Sequence, residues 1–169
     1  MLIGCLHLPN GNPTPGPKFD YKLRWLGRLN GYAAELLELD VPIMLVGDFN
    51  VNPTDLDVYK SARWRNDALF RPEVRDAFHV GRPGLDRRRS CPAPRRTHLH
   101  VLGLSPECVG PHAGLRLDHF LLSPQIAKRL VTAGVDCDVR GWEKASDHAP
   151  VWIELSDGVR RRRSPARGS

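Results

Sequence analysis

The sequence has no hydrophobic run long enough to cross a membrane, and its four cysteines show no spacing typical of a metal site. The apolar start is short, lacks a basic segment and reaches Pro9 early, so it matches a secretory signal poorly. These absences argue against a membrane protein or a cysteine-bound zinc site, and predict reduced thiols in the cytoplasm. The 169 residues are enough for one domain with a core.

Acidic residues are scarce where arginine is abundant, and this explains the formal net charge of +6. Segments 82–96 and 157–167 hold 11 of the 25 basic residues and two of the 19 acidic ones, which leaves 14 basic and 17 acidic residues elsewhere. The charge therefore does not predict a basic face on the rest of the chain. We expect 156–169 to be a disordered basic tail that adds nonspecific attraction to phosphate at most.

Apolar spacing predicts alternating strands and helices, which is typical of an α/β fold. The predicted strands are 1–8, 43–46, 117–122, 135–139 and 151–155, and the predicted helices are 18–39, 59–78 with a new start at Pro72, and 124–132.

Two polar motifs lie at predicted strand ends, Gly47-Asp48-Phe49-Asn50 and Ser146-Asp147-His148-Ala149-Pro150-Val151. Each motif alone is usually only a turn, because Asp, Asn and Ser bond to nearby backbone. Together they are more specific, since strand-end loops often carry chemistry. A carboxylate, an amide and an Asp-His pair could hold a divalent cation and polarise a phosphate.

Further strings accompany these motifs, and with them the chain resembles exonuclease III of the endonuclease/exonuclease/phosphatase superfamily. The strings are Leu8-Pro9-Asn10-Gly11-Asn12-Pro13, Leu115-Arg116-Leu117-Asp118-His119, and segments 18–23, 47–51, 53–58, 120–124, 133–136 and 143–152. They cover most of 1–79 and 113–155. The resemblance implies an α/β fold that is part of a four-layer sandwich of the deoxyribonuclease I-like type, in one domain over 1–155.

The resemblance also implies a DNA-repair nuclease that hydrolyses phosphodiesters at 3′ ends and abasic sites of duplex DNA. Mg²⁺ or Mn²⁺ is the implied cofactor, and a monomer without membrane contact is the implied state. The implied catalytic residues are His7, Asp48, Asn50, Asp118 and His148, and the implied metal-binding residues are Asp48, Asn50, Asp147 and His148. By the same resemblance, Asp48 activates the water or leaving group, and Asn50 and His148 contact the phosphate. His119 is interpreted as structural.

The chain departs from this family pattern in two ways that bear on catalysis. His7 stands where the family has a tyrosine, and imidazole differs from phenol in reach and pKa. The family segment that carries an asparagine and the metal-anchoring glutamate would precede Met1, so the N-terminal portion is expected to be missing. Little or no nuclease activity is therefore expected of the chain as given.

Residues 80–112 do not fit a compact domain, because they are rich in Arg and Pro and lack periodicity. If the codons of Gly84 to His112 are read one base later, they can encode a periodic, aromatic string similar to that of the family. We interpret the segment as frameshifted, with the frame restored near Ala113, and predict that 84–112 is irregular and exposed.

Two alternative functions remain open. One is a catalytically inactive remnant that binds DNA weakly through its arginine-rich tail. The other is a phosphatase of the same superfamily, which the nuclease-like strings favour less.

Overall fold

The computed structural model describes residues 1–58, 60–78, 100–101 and 114–157. The strands are β1 (Leu2–His7), β2 (Ile43–Asp48), β3 (His100–Val101), β4 (Asp118–Leu122), β5 (Leu130–Val135) and β6 (Val151–Leu155). The α-helices are α1 (Pro17–Glu38), α2 (Pro72–Phe78) and α3 (Pro124–Ala127), with 3₁₀ turns at Asp55–Asp57, Ser61–Arg63 and Cys137–Gly141.

Four strands form a mixed sheet in the order β1-β2-β4-β3. β1 pairs parallel to β2, and the 22-residue helix α1 makes the crossover between them. β4 pairs antiparallel to β2 on its other side. Strand β2 is therefore enclosed between two neighbours, which fits the apolar run of Ile43, Met44 and Leu45, all buried.

Helix α1 covers one face of this sheet. Pro17 is at its first turn, where a missing N–H costs nothing. Its buried side chains recur at spacings of three and four, as an amphipathic helix requires; they are Phe19, Lys22, Leu26, Leu29, Ala33 and Leu36. The apolar members pack with Leu45, Leu121 and the side chains of α2 into the larger core.

The two-stranded sheet β5-β6 covers part of the opposite face. Met44, Phe120, Leu122 and Ile126 form the core there, with Ile153 and other half-buried side chains packed against it. Helices, mixed sheet and second sheet make three layers within the described residues, so the α/β prediction is confirmed. In this described part, no helix has the length and apolarity needed to cross a membrane.

Three predicted elements differ from the elements in the structure. The helix predicted over 59–71 is replaced by turns, and Lys60 takes a left-handed conformation (φ 55°) that interrupts a helix. The helix predicted over 124–132 stops at Ala127, because Leu130 onward pairs with β6. The strand predicted over 135–139 ends at Val135, where its partner strand is preceded by Pro150, which has no N–H for the ladder.

The cysteines also differ from their predicted state. Cys5 is a free thiol, but Cys137 is disulfide-bonded, so the prediction of four reduced thiols is wrong. Sequence spacing cannot show which thiols a fold brings together. The predicted cytoplasmic location, which used those thiols, stays a prediction.

The prediction of an irregular segment over 84–112 is wrong for His100–Val101, which pair with β4. A strand beside β4 satisfies backbone groups that would otherwise be left at the sheet edge. The rest of that segment, the proposed frameshift and most of the basic tail lie outside the described residues.

The close approach of β1 and β2 depends on Gly47. Its φ is +130°, and a Cβ added there would lie 2.0 Å from the backbone oxygen of Leu6. Gly27, in the middle of α1, has open space within 4 Å of the corresponding position.

These two glycines give a matched pair of substitutions. Gly47→Ala should lower the free energy of unfolding by at least about 2 kcal/mol, through backbone strain and the clash with Leu6. Gly27→Ala should raise it by about 0.5–1 kcal/mol, because alanine is the better helix former. Urea denaturation of both variants measures the difference, and equal effects would contradict the role given to Gly47.

Candidate active site

Strand register places three polar side chains in one row across the mixed sheet. His7 is paired with Asp48 across β1 and β2, and Asp48 with Asp118 across β2 and β4. Side chains at paired positions point to the same face of a sheet. The ends of three neighbouring strands thus supply one imidazole and two carboxylates at the same level.

His148 completes this row from the loop before β6. Its Nδ1–H donates a hydrogen bond of 2.7 Å to Oδ2 of Asp118. Its Nε2 lies 3.9 Å from Oδ2 of Asp48, and Nε2 of His7 lies 3.4 Å from the same oxygen. Oδ2 of Asp48 is therefore the point on which both imidazoles converge.

The loop after β2 holds the Asp48 carboxylate in place. The backbone N–H of Asn50 donates to Oδ1 of Asp48 (2.8 Å), and its side-chain amide donates to Oδ2 (2.9 Å). The same amide donates to the carbonyl oxygen of Leu8 (2.9 Å). Asn50 is buried and has φ 48°, a conformation that asparagine tolerates. Both amide hydrogens of Asn50 are thus used within the protein, and Asn50 orients Asp48.

An aromatic cluster anchors this loop from below. Phe49, which lies between Asp48 and Asn50 in the sequence, is fully buried. Its ring contacts the ring of Phe78 with centroids 5.4 Å apart. His119 lies beside both rings, and its Nε2 is 2.9 Å from the carbonyl oxygen of Val51. Burial lowers the pKa of His119 to about 4, so this imidazole is neutral at neutral pH. Full burial and a neutral ring support the interpretation of His119 as structural.

The electrostatics of the row favour a charged His148. The hydrogen bond to Asp118 raises the pKa of His148, partial burial opposes that rise, and the charges of Asp118, Asp48 and Asp147 add to it. An imidazolium between Asp48 and Asp118 offsets the repulsion of two carboxylates on adjacent strands. His148 is half-buried, so solvent can still reach it.

The structure brings five of the six predicted site residues into one group. His7, Asp48, Asn50, Asp118 and His148 form one connected group by the contacts above. Asp147 lies within the turn in which the N–H of His148 bonds to Oγ of Ser146 (3.0 Å), and its exposed carboxylate acts on His148 through charge. The roles assigned to these residues remain predictions.

The available donor groups limit how a divalent cation could be held at this site. In the described residues, no group of three or more His, Cys, Asp or Glu side chains is arranged to hold a metal. Mg²⁺, however, is usually held through one or two carboxylates, with water and substrate phosphate as the other ligands. Asp48, at a rim that solvent reaches, fits that limited demand, whereas the oxygen of Asn50 already accepts a bond of 3.4 Å from Asn10.

Sequence reasoning missed two contributors to the site, Lys22 and Asn10. Lys22 occupies the buried stripe of α1, at a position where the helical spacing requires an apolar side chain. A lysine at the spacing of an apolar stripe was the available signal. Asn10 was part of a matching string, but its contact with Asn50 spans 40 residues and has no local signature.

Comparison with known proteins identifies relatives of the chain. The Endonuclease/Exonuclease/phosphatase family matches residues 2–148. Exodeoxyribonuclease III of Haemophilus influenzae is 32% identical over 146 residues, which cover 82% of this chain and 55% of that protein. The chain spans about half the length of the curated relatives it matches.

Solved structures give the same result for the fold. An AP endonuclease from Archaeoglobus fulgidus has a TM-score of 0.71 and 26% identity, covering 91% of this chain and 61% of that one. A 3′ phosphatase from Neisseria, bound to product DNA hairpin, has a TM-score of 0.71 and 28% identity, with 91% and 60% covered. The deoxyribonuclease I-like fold expected from the sequence is confirmed.

The His148–Asp118 contact can be tested by titration. Asp118→Asn should lower the pKa of His148, because it removes the hydrogen-bonded carboxylate that raises this pKa most. NMR titration of the His148 ring protons measures the change. Asp138→Asn, which alters an exposed carboxylate of the same connecting segment, should leave the pKa of His148 unchanged. An equal shift in both variants would contradict the pairing.

Proposed function

Because the chain belongs to the Endonuclease/Exonuclease/phosphatase family, we propose that its site is that of an exonuclease III-type DNA-repair nuclease. The reaction is metal-dependent hydrolysis of phosphodiesters at 3′ ends and abasic sites of duplex DNA. The observation that carries the proposal is the convergence of Asp48, Asp118 and His148 at three neighbouring strand ends and one loop.

Hydrolysis adds water to phosphorus and breaks one P–O bond, so the site must accept a proton and stabilise extra negative charge. Asp48 is suited to accept the proton of the attacking water, because Asn50 holds both of its oxygens in place. The contact with Asp118 orients His148 and favours its protonated form, which can donate from Nε2 to a phosphate oxygen. Fixed donors of this kind stabilise the transition state without reorganisation.

His7 is placed to bind the substrate phosphate. Its side chain is 79% exposed, and it lies 3.4 Å from Asp48 on the open side of the row. This position suits the contact that the resemblance assigns to a tyrosine, with an imidazole N–H replacing the phenol O–H as donor.

A divalent cation, Mg²⁺ or Mn²⁺, would bind through Asp48, with Asp147 as the other proposed protein ligand. His148, also expected as a ligand, fits less well, because Nε2 cannot both carry the proton that it donates to phosphate and offer a lone pair to a metal. When bound, it would supply positive charge for the phosphate and lower the pKa of water. Asn50 supports this site by fixing Asp48, since its amide group is occupied within the protein.

A second candidate function is that of an inactive remnant which binds DNA weakly. The ligand count favours it, because the described residues provide no group of three metal-competent side chains. Weak metal occupancy would reduce the rate directly, since electrostatic stabilisation is usually the largest catalytic term.

An abasic duplex incubated with Mg²⁺ or Mn²⁺ distinguishes the two functions. We expect slow, metal-dependent cutting that falls by about 100-fold or more in Asp48→Ala and in His148→Ala. Asp20→Ala, which removes an exposed carboxylate of α1, should keep the rate. Gel electrophoresis of labelled strands measures the product.

Cutting that persists in both site variants would refute the proposed site. Absence of cutting by the unmodified chain, with DNA binding retained in a gel-shift assay, would support the second candidate.

A further inference from the structure

Lys22 is a fully buried lysine, and within the described residues its ammonium group donates to three backbone oxygens. Nζ donates to the carbonyl oxygens of Asn50 (2.6 Å), Asn10 (2.9 Å) and Ala68 (3.1 Å). Within the described part of the chain, Lys22 forms no ion pair. Burial lowers the pKa of Lys22 to about 8, and the charges of Asp67 and Asp48 oppose that shift from a distance. Burying a charge is costly unless it is well hydrogen-bonded, so the three bonds to backbone oxygens are what hold the ammonium group here.

The three carbonyl groups belong to three different loops. Asn10 follows β1, Asn50 follows β2, and Ala68 lies in the turns that precede α2. An ammonium group has three N–H donors, and each of them serves one loop. Lys22 therefore joins three loops at one point, directly beneath the Asp48 row.

A chain of hydrogen bonds leads from Lys22 to the proposed catalytic carboxylate. The bond of 2.6 Å fixes the backbone of Asn50, whose amide in turn donates to Oδ2 of Asp48. Asn10, also held by Lys22, donates from its side chain to Oδ1 of Asn50 (3.4 Å). Both the backbone and the side-chain orientation of Asn50 thus depend on groups that Lys22 holds.

The surrounding residues make room for this lysine. Gly11 has φ +92°, and a Cβ added there would lie 2.7 Å from Cδ of Lys22. Asn12 ties two of the loops together, because its amide donates to Oδ1 of Asn10 (2.9 Å) and to Asp67 (3.1 Å). The space and the polar loops around Lys22 are arranged for its stem and its charge.

We propose that Lys22 is a positioning residue of the Asp48 site, which sets the placement of Asn50 and, through it, of Asp48. This inference rests on the proposed function for its consequence in catalysis. The hydrogen bonds on which it depends are independent of any activity. Leucine in this stripe would fill the space but leave three buried carbonyl groups without donors.

The closing experiment compares Lys22→Met with Asn30→Leu in the full chain. Lys22→Met keeps the apolar stem and removes the three donors. Asn30→Leu removes another bridge from α1 to backbone, a bond of 3.0 Å to the carbonyl oxygen of Ala77, which is not one of the three carbonyl groups that Lys22 holds. Circular dichroism confirms folding at the temperature used.

The first measurement is the NMR signal pair of the Asn50 side-chain amide. Lys22→Met should move these signals to the positions of a free amide and increase their exchange with water, whereas Asn30→Leu should leave them unchanged. Unchanged Asn50 signals in folded Lys22→Met would overturn the proposal.

The second measurement is steady-state cutting of the abasic duplex. Lys22→Met should lower kcat by about 100-fold, as expected when a reacting group is misplaced by about 1 Å, with KM nearly unchanged. Asn30→Leu should keep kcat. If the unmodified chain does not cut DNA, the proposed function fails, and the Asn50 signals alone decide the role of Lys22.

Lys22→Arg covers the case in which the methionine variant does not fold. Arginine keeps the charge and has enough donors for all three carbonyl groups. Its planar guanidinium group is larger than an ammonium group, so it should move the three loops apart. Displaced Asn50 signals in the folded arginine variant support the proposal. Unchanged signals and an unchanged kcat overturn it.

Discussion

The pairing register of β2 with its two neighbours determines the whole site. It places Asp48 beside His7 on one side and beside Asp118 on the other. A shift of one residue in either pair would turn one member of the row to the opposite face of the sheet. The apolar residues earlier in the strands prevent such a shift, because Met44, Phe120 and Leu122 must face the β5-β6 sheet. The core that fixes the register thereby fixes the polar row.

Two carboxylates at paired positions repel each other, and the fold places an imidazole between them. His148 bonds to Asp118 and lies 3.9 Å from Asp48, with its pKa raised by these contacts. The β5-β6 sheet therefore has a second role besides packing, since the loop that leads into β6 carries His148. Packing of the second sheet and charge compensation in the first are coupled through that loop.

The sequence predicts those parts of the fold that leave a local pattern. The apolar run at 43–46 and the spacing over 18–39 identified β2 and α1, and polar residues at strand ends identified Asp48 and His148. The course of 124–139 could not be predicted, because pairing with β6 decides where α3 ends and β5 begins. The Asp118–His148 contact joins residues that are 28 or more positions apart in the sequence. So do the contacts of Lys22 with Asn50 and Ala68, whereas Asn10 is nearer to Lys22. Resemblance to a family could name site residues, but it could not show that both amide hydrogens of Asn50 are used within the protein.

The charges of the site bear on its need for a cation. Asp48, Asp118 and Asp147 contribute three carboxylates around a space in which the proposed substrate places a phosphate. His148 offsets one of these charges at most, so a phosphate would still meet net negative charge there. A divalent cation bound at Asp48 would reverse that balance, which would account for the metal dependence of the proposed reaction at a site rich in carboxylates. Rigid placement of Asp48 then has a double effect, because the same carboxylate group would serve both the cation and the attacking water. The buried contacts of Asn50 and Lys22 beneath Asp48 are consistent with that demand, since a carboxylate with two tasks tolerates little displacement.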